Sequence, residues 1–368
     1  MKIGLNATCL NNRPSGAKQR FVGIYSEVAK SLPESEFVIY EPIDCSVKTW
    51  FEDLDNVTVR KTPIQSEGRF ERLFGGLRYW PSQLAQDKLD FFEGFHLPLV
   101  RSPTGQTLLT IHDIRGIKSE AGIIVRSIYK TILDNSAKKA DRIITVSEAM
   151  KTELLEYCPN IPISVIYNGL DASAFESVTN LDLLQVKKKL ALPNDFILSV
   201  GHFEERKNYL RLIEALDLLS KSGTSCSLVI VGNDSGERTH LESKVKSLNL
   251  SGQVQIFSGL SDHEVRCVYK LSSLFVFPSS YEGFGIPILE AMAAGRPMVL
   301  SDIAVFREIT DNQGIYFAYD DVEQMASAIG EVLNSSVEQE QMIRYGKERV
   351  KEFSFKNIAK EVVGIYKD

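Results

Sequence analysis

The stretch Leu274–Asp302, LFVFPSSYEGFGIPILEAMAAGRPMVLSD, decides how the rest of the chain is read. It opens with an apolar run, Leu274–Pro278, of the length and composition of a buried strand. Ser279–Gly285 is then the loop leaving that strand's carboxyl end. Pro287 suits the first turn of a helix, where no backbone donor is needed, and Gly295 suits the position just past a helix end. A short helix over Pro287–Ala294 is predicted, with Met298–Ser301 as the next strand.

The same alternation runs along the whole chain and predicts parallel sheets covered by helices, an α/β fold. In the first half the strand candidates are Lys2–Ala7, Glu36–Glu41, Val57–Thr62, Asp90–Glu93, Gln106–His112, Arg142–Val146 and Ser164–Tyr167. In the second they are Phe196–Gly201, Ser227–Gly232, Val254–Ser258, Leu274–Pro278, Met298–Ser301 and Ile315–Phe317. Asp171–Asp195 loses strand character and reads as the connection, which places a domain boundary near Asn168. Two doubly wound sheets are expected to turn the carboxyl ends of their strands toward a shared crevice, where such folds bind ligands.

A chain of 368 residues is long for one hydrophobic core, in keeping with two domains. A formal net charge of −6 argues against a nucleic-acid partner, which requires a basic surface. The 5 cysteines are odd in number, far apart and without a C-x-x-C pair, so they support neither a disulfide framework nor a zinc site. A reducing cytoplasm fits them. The N-terminal MKIGLNATCL reads as a strand, not a signal peptide, and no apolar run reaches the roughly 18 residues of a spanning helix.

The chemistry of the opening stretch follows from its helix start. The unpaired N–H groups and partial positive charge there suit an anion, and Gly283 and Gly285 let a ligand approach the backbone. A carboxylate beside phosphate would repel it, so Glu282 and Glu290 are better placed to accept hydrogen bonds from hydroxyls. Phosphate on the helix end with hydroxyls on either side describes a nucleotide sugar. EGFGIPILE resembles the E-x7-E motif of retaining GT-B glycosyltransferases of family 4. SVGHFEERKNYLRLIEAL, ADRIITVSEAMKTEL, VIYNGLD, TIHDI and FSGLSDHEV resemble further family motifs, in the family's order along nearly the full chain.

That resemblance implies the GT-B fold, two Rossmann-like domains facing a central cleft. The acceptor domain would span 1–168 and the nucleotide-sugar domain 169–353, with a C-terminal helix of about 354–368 packing back on the first. It implies that Lys207 and Arg206 stabilise the donor diphosphate, that Glu282 meets the transferred sugar and that Glu290 accepts from the ribose. Gly283, Phe284 and Gly285 would offer amides to the sugar, Ile288 and Leu289 amides to phosphate or ribose, and Leu260 would lie in the base-contacting loop. His112, with Asp113 beside it, would stand by the donor sugar's reactive face. Each has a bland counterpart: a solvated helix start for Lys207, a dipole-matching glutamate, simple turn glycines, a structural histidine. Where many relatives carry arginine, this chain has His202. Gly16, in Ser15–Phe21 (SGAKQRF), takes the place of the glycine-rich loop with altered spacing; Lys18 and Arg20 there suit a phosphate-bearing acceptor, ahead of a helix over Phe21–Ser31.

The implied reaction uses a nucleotide-diphosphate sugar as co-substrate, no other cofactor and no metal, and no D-x-D motif stands in a suitable setting. EERKN together with TIHDI resembles bacterial mannosyltransferases of surface-polysaccharide assembly, which points to GDP-mannose and a glycan or lipid-linked acceptor. A UDP-sugar donor, an epimerase or phosphorylase on the same scaffold, and a non-catalytic partner subunit are the competing readings. A dinucleotide oxidoreductase fails for want of G-x-G-x-x-G after the first strand. Arg69–Trp80, RFERLFGGLRYW, is basic, aromatic and amphipathic. Such a segment can lie on the cytoplasmic face of a membrane, against the plainer reading of core packing with arginines in solvent.

Overall fold

The computed structural model describes all residues except 12–15, 68, 119–121 and 225, and the side chains of 69–75 and 77. The chain divides into two units, Met1–Gly169 with Phe355–Asp368, and Leu170–Ser354.

In the first unit seven parallel strands are β1 (Lys2–Asn6), β2 (Glu36–Glu41), β3 (Val57–Lys61), β4 (Phe91–Gly94), β5 (Gln106–Ile111), β6 (Arg142–Thr145) and β7 (Ile163–Val165), in the order β3-β2-β1-β4-β5-β6-β7. In the second, β8 (Phe196–Val200), β9 (Ser227–Val231), β10 (Val254–Phe257), β11 (Leu274–Phe277), β12 (Met298–Ser301) and β13 (Ile315–Phe317) form a parallel sheet ordered β10-β9-β8-β11-β12-β13. Each sheet winds outward in both directions from its first strand, the doubly wound arrangement. Its switch point lies between β1 and β4 in one unit and between β8 and β11 in the other. The apolar runs of the sequence locate these strands, with ends shifted by a residue or two where the chain turns into a loop.

Three local expectations change. The helix expected from Phe21 starts a turn earlier and spans Gly16–Ser31. The added turn carries Arg20, only 2% exposed, whose Nη1 donates to the carbonyls of Ile166 at 2.9 Å and Tyr167 at 2.6 Å and to Asn168 Oδ1 at 3.1 Å. Arg20 therefore anchors the chain leaving β7 instead of standing in solvent as an acceptor cation, and Lys18 Nζ lies 4.2 Å over the Trp50 ring. Ser15 lies outside the described residues. The connection after Asp171 holds two helices, Ser173–Glu176 and Asn180–Lys189, the second closed by a Thr179/Asp182 capping box. Of Arg69–Trp80, most side chains lie outside those described. At its end Trp80 is buried edge-on against Tyr40, 5.1 Å between centroids, as core packing.

The helix Phe355–Lys367 belongs to the first unit. Ile358, Ala359, Val362, Val363, Ile365 and Tyr366 make up its buried stripe, joined to the core that includes Phe21, Ile24, Tyr25 and Val28. Gly23 is where the two helices close: a Cβ there would fall 2.4 Å from the Phe355 ring. Among the described residues no helix is long and apolar enough to cross a membrane.

Candidate functional site

The second unit's switch point gathers the charged groups. The loop after β8 turns at Gly201, whose φ of +151° and close neighbours exclude a side chain: a Cβ would meet Tyr209 Oη at 2.9 Å and Lys207 Nζ at 3.1 Å. The missing Cβ is the space Lys207 occupies. A 3-10 turn, Glu205–Lys207, then presents both cations, and Asn208, in the left-handed region at φ +60°, redirects the chain into the helix Tyr209–Lys221.

The loop after β11 runs beside it. Ser280 N–H donates to the Arg206 carbonyl at 2.8 Å, and Arg206 Nη1 donates to the Tyr281 carbonyl at 3.0 Å, so Arg206 staples one loop to the other. Glu282 Oε1 lies 2.5 Å from Lys207 Nζ and 2.8 Å from Arg206 Nη1, while Arg206 Nε also meets Glu204 at 2.7 Å. Lys207 is nearly enclosed and sits 4.7 Å over the Phe277 ring. Burial pulls its pKa below the ordinary lysine value, and Glu282 works against that. Burial acts on Glu282 in the opposite sense, but Lys207 and then Arg206 outweigh it and hold the carboxyl below its usual range. The result is a desolvated carboxylate gripped by two cations.

The helix predicted over Pro287–Ala294 spans Ile286–Ala293, entered through Gly285 at φ +125° with no side-chain cap and left at Gly295, φ +65°. Phe284, Ile288 and Leu289 turn buried side chains to the core. Only their backbone can face a ligand, and Ile288 N–H already donates to the Gly285 carbonyl at 2.9 Å. Glu290 accepts from Tyr269 Oη at 2.8 Å. Burial, with Asp262 adding to it, raises the Glu290 pKa to about 7 against the pull of Tyr269 and Arg266. Tyr269, Asp262 and Arg266 all come from the helix Asp262–Leu271. That helix starts from Ser261 next to Leu260, so the loop after β10 and Glu290 are neighbours through one element. Tyr269 is the residue the sequence reading missed. Its only signal is that it falls on the buried face of that helix, eight positions past the Ser261 cap.

His112, Asp113 and Gly16 belong to the first unit. His112 follows β5 and lines a small, largely apolar pocket together with Cys9, Leu10, Ala17, Arg20, Phe21 and Phe95. Burial, with the Arg20 charge, pushes its pKa down to about 3, so it is neutral at ordinary pH. Asp113 accepts from the Arg115 backbone N–H at 3.1 Å, just ahead of the short helix Arg115–Lys118. Gly16 is the exposed first residue of its helix. Among the described residues no three His, Cys, Asp or Glu side chains are grouped to hold a metal.

Two Rossmann-like parallel sheets, with an acid and two cations at one switch point, define the GT-B class of fold. Solved structures agree along the whole chain. WaaG, a glycosyltransferase involved in lipopolysaccharide biosynthesis, superposes with a TM-score of 0.75 at 17% identity, covering 100% of this chain and 99% of that one. Anabaena Alr3699/HepE in complex with UDP and glucose superposes at 0.76 and 19% identity, covering 100% and 99%. Glycosyltransferase Family 4 matches residues 34–174 and Glycosyl transferases group 1 matches 183–349. The chain belongs to this family of glycosyltransferases. Among curated relatives, the O-antigen chain mannosyltransferase RfbU of Salmonella typhimurium is 32% identical over 235 residues, 63% of this chain and 61% of the relative. The O-antigen chain mannosyltransferase B of Escherichia coli is 28% identical over 322 residues, 84% and 81%. The matched stretch thus spans less than two thirds of the RfbU chain.

Proposed function

We propose that this protein is a retaining glycosyltransferase that moves mannose from GDP-mannose to a glycan or lipid-linked acceptor in cell-surface polysaccharide synthesis. The observation that carries the reading is the meeting of Glu282 with Lys207 and Arg206 at the β8/β11 switch point. The mannosyltransferase names of the relatives favour the sugar.

In this reading the donor diphosphate takes over the two cations that Glu282 now holds, a stronger anion displacing a weaker one. Freed of them, Glu282 accepts from hydroxyls of the transferred sugar, near the amides of Gly283, Phe284 and Gly285, and Glu290 accepts from the ribose. Lys207 and Arg206 then neutralise charge that grows on the departing phosphate as the glycosidic C–O bond breaks, and such fixed charges stabilise a transition state strongly because they need no reorganisation. The acceptor oxygen attacks from the same face, and its proton passes to the leaving diphosphate, so no protein nucleophile and no metal is invoked. His112 acts as a neutral hydrogen-bonding group beside the sugar.

The test is a panel of GDP- and UDP-sugars with lipid-linked saccharide acceptors, in the presence of chelator, with the anomeric configuration of the product read by NMR. An α-mannosyl product from GDP-mannose is expected. A β-linked product would overturn retention, a UDP-sugar as sole donor would overturn the sugar assignment, and turnover of donor without acceptor would indicate an epimerase.

A further inference from the structure

Polar side-chain atoms shut inside a folded protein nearly always have a hydrogen-bond partner, and each exception calls for a reason. Among the described residues Ser279 Oγ is such an exception, two positions past β11 at the second unit's switch point. Ser279 is wholly enclosed. Its place is fixed from two sides: its carbonyl accepts from Ser301 Oγ, at the end of β12, at 2.5 Å, and the next residue, Ser280, donates its N–H to the Arg206 carbonyl at 2.8 Å. Against the effect of burial, Lys207 and Arg206 favour the charge of the Glu282 carboxylate, and the Ser279 hydroxyl, bordering that carboxylate, adds to them. Packing alone would be met by alanine, with no enclosed oxygen left unbonded.

Resting on the donor reading given above, we infer that Ser279 is a positioning residue: its hydroxyl donates to Glu282 once the diphosphate has drawn Lys207 and Arg206 away. Without ligand, both cations reach Glu282 at Oε1, 2.5 and 2.8 Å away, and supply its donors. A diphosphate that takes them leaves a carboxylate withdrawn from water, and a buried charge stripped of donors is costly. Sugar hydroxyls replace part of what is lost. The serine hydroxyl turns its one proton without moving the backbone, so it supplies a donor from the chain itself. It is idle in one state and bonded in the other, which accounts for an enclosed hydroxyl without a partner. Held by that bond, Glu282 keeps its charge and its orientation toward the transferred sugar. The competing occupant is a trapped water, which would bond Ser279 equally with and without ligand.

The test compares Ser279→Ala with the parent chain, free and with nucleotide. Free, the variant should melt no lower than the parent, because no hydrogen bond is lost. Calorimetry with GDP and with UDP, taken separately, should show binding weakened roughly tenfold for whichever nucleotide the parent binds. Ser279→Cys, close in size but a weak donor, should behave as the alanine variant does, which separates the lost bond from a cavity. In a Glu282→Gln background the same Ser279→Ala change should alter affinity by less than about twofold, since no charge is then stranded. Unchanged affinity in Ser279→Ala, an equal loss of melting temperature with and without nucleotide, or a tenfold loss that persists beside Glu282→Gln would each overturn the role of Ser279 and leave the donor site standing. A parent chain that binds neither GDP nor UDP would overturn the donor reading and the role of Ser279 with it.

Discussion

Glu282 Oε1 sits 2.5 Å from Lys207 Nζ, a carboxylate and an ammonium both largely withdrawn from water and joined at the switch point of one sheet. Removing one partner from such a pair strands a buried charge, whereas removing both together does not. Glu282→Gln and Lys207→Met should therefore each destabilise the fold, the first by about 3 kcal/mol, while Lys207→Met/Glu282→Gln recovers most of that loss and still abolishes transfer. Chemical denaturation of the two single variants and the double closes the cycle. Additive losses would mean the contact carries no coupling.

In the proposed reading Glu290 gives donor binding a pH dependence. Its folded pKa of about 7 lies above its ordinary 4.5, so between these values the folded state binds the extra proton and loses stability as pH rises. In that reading the ribose hydroxyls bind Glu290 as the carboxylate, so nucleotide binding should release a proton and weaken as pH falls below about 7, nearing tenfold per unit. Calorimetry in buffers of different ionisation enthalpy measures that proton. In Glu290→Gln the dependence should vanish, and above neutral pH the unliganded variant should melt higher than the parent.

His112 is neutral across the working range, its pKa about 3 against an ordinary 6.5. Here the unfolded chain binds the extra proton, so the histidine costs stability as pH falls through about 6.5 toward 3. The NMR shift of its Cε1 proton should stay constant between about pH 5 and pH 8, and His112→Asn should flatten the fall of melting temperature with acid. A titration midpoint near 6.5 would show that the ring is open to water or charged in use.

The last helix is tied down by a buried acid. Glu93, fully enclosed, accepts from Tyr25 Oη at 2.6 Å, Thr110 Oγ1 at 2.5 Å and Tyr366 Oη at 2.8 Å, and burial raises its pKa despite these bonds. Tyr366→Phe removes one donor from an acid that cannot reach water, at a cost of about 1–2 kcal/mol. Hydrogen exchange should localise the loss to the first unit, although residue 366 follows the whole of the second in sequence. Protection lost evenly from both units would contradict this.

Much of the site is legible along the chain because each part follows a strand end. EERKN leaves β8, Glu282 leaves β11, and proline and glycine bracket the helix bearing Glu290. Their partnerships are not legible, since 75 residues separate Lys207 from Glu282 and 21 separate Tyr269 from Glu290. Arg20 is the instructive case. Among Gly16, Lys18 and Gln19 it looks like one more ligand cation, and only carbonyls 146 and 147 residues away turn it into an anchor.

Periodicity and turn chemistry along the chain were sufficient for strand positions, two α/β halves and the choice of candidate residues, because those depend on neighbours a few positions apart. Protonation and pairing needed the folded chain. Whether Glu290 carries a proton near neutrality, whether His112 can charge, and which cations Glu282 holds all depend on how completely water is excluded and what distant group fills its place, and only the packed sheet and helices settle that.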